Sequence, residues 1–206
     1  HLHAYLPPPL FYMILLYGGV HSVQIIHSSL LMCMIKIGII SEIPILLGRR
    51  DMEHERTCFF IGHREANERV LPALEQAVEQ LIVESGVTDF VVGHYGAFDG
   101  IAAKVIKAAK KRHPEVTLAL LLPYHPFDRP TPVPKGYDST FYPPGMENVP
   151  KKYAIVRANR YMVDHSGYLI AFTWHAASNS RELVEYARRR EEKGLIHVQN
   201  LADVVR

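Results

Sequence analysis

Cysteine is nearly missing from this chain, with Cys33 and Cys58 the two present among 206 residues. Two thiols build neither a disulfide scaffold nor a closed four-thiolate zinc site, and such scarcity suits a reducing, cytoplasmic compartment. Net charge is missing too. The formal sum is +2, and residues 51–206 balance 20 acidic against 20 basic side chains, so no global argument for nucleic-acid binding arises. No stretch reads GxGxxG or runs into Gly-Lys-Ser/Thr, which excludes the dinucleotide fingerprint and the P-loop.

Long apolar runs are absent as well. The opening segment LPPPLFYMILLYGGVHSVQIIHSSLLMCMIKIGIISEIPILLG is apolar, but His21, Gln24, His27, Lys36 and Glu42 interrupt it. No run reaches the roughly 18 residues that a spanning helix needs, so a membrane partner is not expected. The segment has no clean helical or alternating period, and it lacks the charged start and cleavage site of a signal peptide. Composition shifts abruptly at Met52. The expected organisation is an atypical extension over residues 1–51 and one domain over residues 52–206. The extension reads either as a misannotated upstream stretch, with Arg49 and Arg50 decoded from a purine-rich ribosome-binding sequence, or as an added element packed on the domain.

What the domain does contain is an alternation of short β-rich runs with amphipathic helical stripes. Strands are expected over residues 57–61, 89–92, 116–122, 168–173 and 195–198. Pro72 suits a first helical turn, with Leu74, Ala77, Val78, Leu81 and Ile82 as its apolar stripe and Gly86 as the stop. Ala102, Val105, Ile106 and Ala109 form the next stripe, and Lys104, Lys107, Lys110, Lys111 and Arg112 its solvated face. A third helix is expected over residues 152–163, and a fourth from Ser178 or Asn179 to Gly194, with Asn179 and Glu182 spaced as a capping box. Residues 123–150 hold eight of the 14 prolines and are expected to form no regular element but a lid or partner surface. This pattern predicts a Rossmann-like, doubly wound, mainly parallel five-stranded sheet in three α/β/α layers, with strand order 3-2-1-4-5. Its crevice would open between the first and fourth strands.

Four of those strands run into a histidine shortly after they end: TCFFIGHR, DFVVGHYG, LALLLPYHP and YLIAFTWH carry His63, His94, His125 and His175. In a parallel sheet these lie along the carboxyl edge, where ligands bind. A zinc ion would need their nitrogens to converge at about 2 Å, whereas neighbouring strands stand nearly 5 Å apart. Neither a metal nor a cofactor is expected. His165 falls toward the opposite end of the sheet and reads as structural.

The rim supplies the candidate ligand-binding residues. Gly62 permits close approach to the backbone, Arg64 offers a planar fork for phosphate, and His63 offers a hydrogen bond or a stacking surface. Arg64 paired with Glu65, Glu68 or Asp99 is the alternative. Gly93, His94, Tyr95 and Gly96 open a helix whose N–H groups suit an anion, and His94, Tyr95 and Trp174 suit a base. Asp99 either caps that helix or receives a ribose hydroxyl or polarises water. Ser178, Asn179 and Arg181 bring hydroxyl, amide and cation to another helix start. Arg157, Asn159 and Arg160 form a polar group on the third helix, where Arg157 and Arg160 share a face that reaches either the crevice or a subunit interface.

The segments TCFFIGHR, VVGHYGAFD and NRYMVDHSGYLIAF together resemble the SLOG superfamily, and within it the bacterial YpsA-like group, over about residues 56–200. That resemblance implies a Rossmann-like sheet and a nucleotide or nucleotide-derived ligand, with the first-strand motif on Gly62, His63 and Arg64 and the acidic position on Asp99. Its relatives include the LOG phosphoribohydrolases and the single-strand-binding protein DprA. This chain departs from the LOG segment PGGxGTxxE, showing Trp174-His175-Ala176-Ala177-Ser178-Asn179-Ser180-Arg181-Glu182 instead. Glu182 keeps the acidic position, but the glycine cradle is gone. The leading expectation is therefore binding or sensing of a nucleotide or phosphoribosyl compound. N-glycosidic hydrolysis of a nucleoside monophosphate, with Asp99 and Glu182 as catalytic carboxylates, and a DprA-like nucleic-acid surface remain the alternatives. Open α/β domains often associate, so a homodimer is the expectation for assembly.

Overall fold

The computed structural model describes residues 14–15, 24–25, 54–175 and 177–205. The chain divides into two units, His1–Arg50 and Asp51–Arg206. In the first, Ile14–Leu15 and Gln24–Ile25 pair as a short antiparallel ladder; the origin expected for residues 1–51 lies outside the described residues. Among the described residues, no helix is long and apolar enough to cross a membrane.

The second unit is a six-stranded parallel sheet between two helical layers. Its elements are β1 (Thr57–Gly62), α1 (Leu71–Ser85), β2 (Asp89–Val92), α2 (Ala97–Ala109), β3 (Thr117–Leu121), β4 (Ser139–Phe141), α3 (Ala154–Asp164), β5 (Tyr168–Phe172), α4 (Asn179–Glu191) and β6 (His197–Asn200). Spatial order is β4-β3-β2-β1-β5-β6, so the direction of winding reverses between β1 and β5. Alternation along each strand divides the core. Cys58 and Phe60 of β1 point toward α1 and α2, whose stripes bury Leu74, Ala77, Val78, Ala102 and Ile106. Phe59 and Ile61 point toward α3 and α4, meeting Ala158, Met162, Leu183 and Val184. Because both faces are covered, the inner strands β1, β2, β3 and β5 read as largely apolar runs.

Three expectations are revised. Strand β4 lies inside the proline-rich stretch expected to hold no regular element, and it makes the sheet six-stranded. Proline blocks a ladder only where it sits, and Ser139–Phe141 falls between Pro134 and Pro143 at the sheet edge, where such a short strand is tolerated. The last strand lies two residues later than expected, since the Leu195 N–H is spent on the Arg190 carbonyl, closing the end of α4 around Gly194 (φ 70°). The capping box is also misplaced by one residue. Ser178 is the N-cap of α4 and its hydroxyl accepts the Arg181 N–H at 3.2 Å, leaving Asn179 in the first turn.

The outer edge of β6 is closed by side chains. Val198, whose backbone faces away from β5, donates its N–H to Glu191 Oε1 at 2.7 Å and accepts from Arg188 Nη1 at 2.9 Å. Arg188 and Glu191 are themselves paired at 2.8 Å. One residue pair of α4 thus stands in for the partner that a seventh strand would supply.

The solvated face of α2 is largely neutralised. Lys104 pairs with Glu68, Lys110 with Asp138 and Arg112 with Glu79, while Lys107 lies 4.3 Å over the Tyr137 ring.

Candidate functional site

At the carboxyl edge, where winding reverses between β1 and β5, a crevice of about 330 Å³ opens. Its floor is the end of β1, Gly62-His63-Arg64-Glu65. One side is the turn Gly93, Tyr95, Gly96 and Asp99; the start of α4 and the first turns of α3 close it with Ser178, Asn179, Ser180, Leu183, Ile155, Val156 and Asn159. Of the residues expected at the rim, Gly62, His63, Arg64, Gly93, Tyr95, Gly96, Asp99, Ser178 and Asn179 meet here. His94, Trp174, Arg181 and Glu182 do not line it.

Gly62 has a packing reason to be glycine. A Cβ placed there would stand 2.4–2.6 Å from the side chain of Phe98, which is fully buried in the first turn of α2. The closeness expected for a ligand or loop is thus used by the protein's own ring. Gly93 serves the same purpose for a carboxylate, since a Cβ there would meet Asp99 Oδ2 at 3.0 Å.

His63 is the hinge pin of the β5–α4 loop. Its Nδ1 accepts the Trp174 N–H at 3.3 Å, so the proton belongs on Nε2, which donates to Ser178 Oγ at 2.9 Å. Ser178 Oγ passes its own hydrogen to the His175 carbonyl. Burial, with His175 nearby, holds the His63 pKa below the usual imidazole value, opposed by Glu65. Both ring nitrogens are therefore occupied in the neutral form. The ring packs edge-on against Trp174, with centroids 4.3 Å apart, and Trp174 in turn contacts Phe172.

Asp99 closes the glycine turn on itself. Its Oδ2 accepts the N–H groups of Tyr95 at 2.9 Å and Gly96 at 3.1 Å, and the Arg64 carbonyl takes the Ala97 N–H. The anion cradle expected over Gly93–Gly96 is thus filled by the chain's own carboxylate. Burial raises the Asp99 pKa above the usual aspartate value, and the two N–H donors act against that rise. The side chain still borders the crevice. Tyr95 borders it too, with its hydroxyl buried near Arg129.

The cations separate into used and unused. Arg181 is turned along its helix to Glu185 at 3.3 Å, and Arg160 lies 3.2 Å over the Tyr186 ring. Arg64 differs: exposed on the crevice floor, it has no ion pair or hydrogen bond from its side chain among the described residues. The carboxylates expected to engage it are occupied or apart, since Glu68 holds Lys104 and Asp99 holds the turn.

The four histidines do share one edge, but each turns to a different neighbour. His94 stacks near Tyr95, His125 meets Tyr142 edge-on, and His63 lies 5.0 Å from His175 between centroids. Among the described residues no three His, Cys, Asp or Glu side chains gather as a metal group. His165, at the other end of α3, stacks on Tyr161 at 3.9 Å.

Two contributions escaped the sequence reading. Asn200 is buried at the end of β6 and clamps Thr173 twice, its Oδ1 accepting the N–H and its Nδ2 donating to the carbonyl, both at 3.0 Å. This fixes the β5 terminus from which Trp174 reaches His63. The wall of Ile155, Val156 and Asn159 was the other, since helical period groups these residues on one side of the helix without saying what that side meets. The sequence matches no protein-family model and no curated protein.

Proposed function

We propose that the crevice binds a nucleotide or a nucleotide-derived phosphoribosyl compound, in a binding or sensing role, with Arg64 gripping the phosphate. The Arg64 guanidinium, unpaired among the described residues, carries this reading, since it borders a concave site at the reversal point of a parallel sheet, where such folds take their ligands. Asn179 and Ser180 lie in the first turn of the 13-residue α4, whose N–H groups point out along the axis toward negative charge. Asp99 is placed to accept a ribose hydroxyl. Ile155, Val156 and Leu183 offer an apolar wall to a base, and the volume lies near the lower end of small-ligand sites.

Titration calorimetry with nucleoside monophosphates and ribose 5-phosphate tests this. Arg64→Ala is expected to weaken every phosphorylated ligand by about tenfold or more, the scale of one hydrogen bond to a charged group. A parent protein that binds none of them would end the reading.

A hydrolytic role is favoured by one observation, the partly buried Asp99 carboxyl bordering the crevice, because burial raises its pKa and a raised carboxyl suits general acid–base work. Glu182, the other carboxylate expected to act, is exposed and outside the crevice. Release of free base from a nucleoside monophosphate, lost in Asp99→Asn, is the result that would convert binder into enzyme.

A further inference from the structure

The α3 wall of the crevice is apolar but for one side chain. Ile155 and Asn159 are spaced four apart and so lie one above the other on the helix, with Val156 beside them and Leu183 facing from α4. Asn159 is half-buried, and its carboxamide has no hydrogen-bond partner among the described residues. The other polar side chains bordering the crevice lie elsewhere: His63, Arg64 and Glu65 on the floor, Tyr95 and Asp99 on the α2 side, and Ser178, Asn179 and Ser180 at the head of α4. The site thus has a charged region and, apart from it, an apolar surface bearing one neutral donor–acceptor pair.

We infer that Asn159 selects the base of the bound nucleotide, reading an edge that presents a donor beside an acceptor, as adenine does. This rests on the nucleotide reading of the same crevice. A planar base laid on Ile155 and Val156 exchanges water for apolar contact whatever its identity, so the aliphatic wall cannot discriminate. A half-buried carboxamide can, because a base of the wrong pattern leaves its N–H or its oxygen unpaired. Asparagine offers both together, the arrangement that pairs with the amino group and ring nitrogen of adenine. Arg64, by contrast, engages phosphate and treats all bases alike.

The test is calorimetry of the full chain with AMP, GMP, CMP, UMP and ribose 5-phosphate, for the parent, Asn159→Leu, Asn159→Asp and Arg64→Ala. The parent is expected to prefer AMP. Asn159→Leu should erase that preference, a change of about tenfold in the AMP-to-UMP ratio, while ribose 5-phosphate binds as before. Asn159→Asp, which only accepts, should move preference toward cytosine with its exocyclic amino donor. Arg64→Ala should weaken all five together. If Asn159→Leu misfolds, Asn159→Ala provides the same readout, since it too removes both the donor and the acceptor. An unchanged base ranking in these variants, a parent without base preference, or an equal loss for ribose 5-phosphate overturns the role of Asn159 while nucleotide binding stands. A parent that binds no phosphorylated ligand removes the underlying reading instead.

Discussion

His63 Nε2 and Ser178 Oγ meet at 2.9 Å across 115 positions of sequence. The bond ties the end of β1 to the N-cap of α4, the two elements between which the crevice opens. Since Nδ1 is already an acceptor for Trp174, protonating the ring sacrifices a bond that the neutral form satisfies.

The acid stability of the domain should carry that signature. With the folded-state pKa of His63 held below its unfolded value of about 6.5, the unfolded chain binds the proton first. The stabilisation is fully present above pH 6.5 and is lost as pH falls toward the folded pKa. His94, whose pKa burial also lowers, adds loss of the same sign. Melting temperatures of the parent and His63→Gln between pH 7.5 and about 5 should therefore converge as pH falls. A constant gap would contradict the assignment.

At Asp99 one oxygen serves both N–H donors, so an amide can replace the carboxylate. Asp99→Asn is expected to keep its stability within about 0.5 kcal/mol, whereas Asp99→Ala should lose about 1–2 kcal/mol with the turn's two donors left unpaired. Urea denaturation separates the two outcomes.

Gly62 should tolerate nothing larger. A methyl group there enters the Phe98 ring, which is fully buried, and overpacking of this kind costs about 1–3 kcal/mol or more. The double variant Gly62→Ala with Phe98→Leu is expected to recover part of the loss in a denaturant titration. Recovery would identify the ring, and not a missing ligand, as the reason for glycine.

Opening the β6 edge should expose the sheet to strand addition. The double variant Arg188→Ala with Glu191→Ala frees the N–H and carbonyl of Val198, and light scattering is expected to show concentration-dependent association beyond that of the parent. Glu191→Gln keeps an acceptor for the Val198 N–H and should behave as the parent does.

Much of the fold was legible because strand and helix periods are written locally. Leu74, Ala77 and Val78, or Ala102, Val105 and Ile106, mark their buried faces by spacing alone, and Gly86 marks its helix end by composition. Strand β4 was not legible, since three residues among prolines leave no period, and their pairing with β3 is decided at long range. At the site, Gly62, His63 and Arg64 at the end of β1 and Gly93, Tyr95 and Gly96 after β2 meet at one edge because parallel pairing sends those ends there, although His94 among them does not line the crevice. The direction of individual side chains was not legible. Arg181 and Arg64 are both arginines near a strand's carboxyl end, yet one is drawn to Glu185 four residues on and the other finds no carboxylate among the described residues.

By itself, then, the chain's order of residues determined the alternation of elements, the parallel sheet with its reversal beside β1, and which turns share its carboxyl edge. Tertiary structure alone decided that Phe98 occupies the space above Gly62, that Asp99 fills the turn an anion was expected to enter, and that Asn159 comes from α3 to face Arg64's crevice. The physical reason is range. Periodicity and capping act over a few residues and can be read in a line, whereas the partner that satisfies a charge, an N–H or a missing Cβ is chosen by contacts between distant segments.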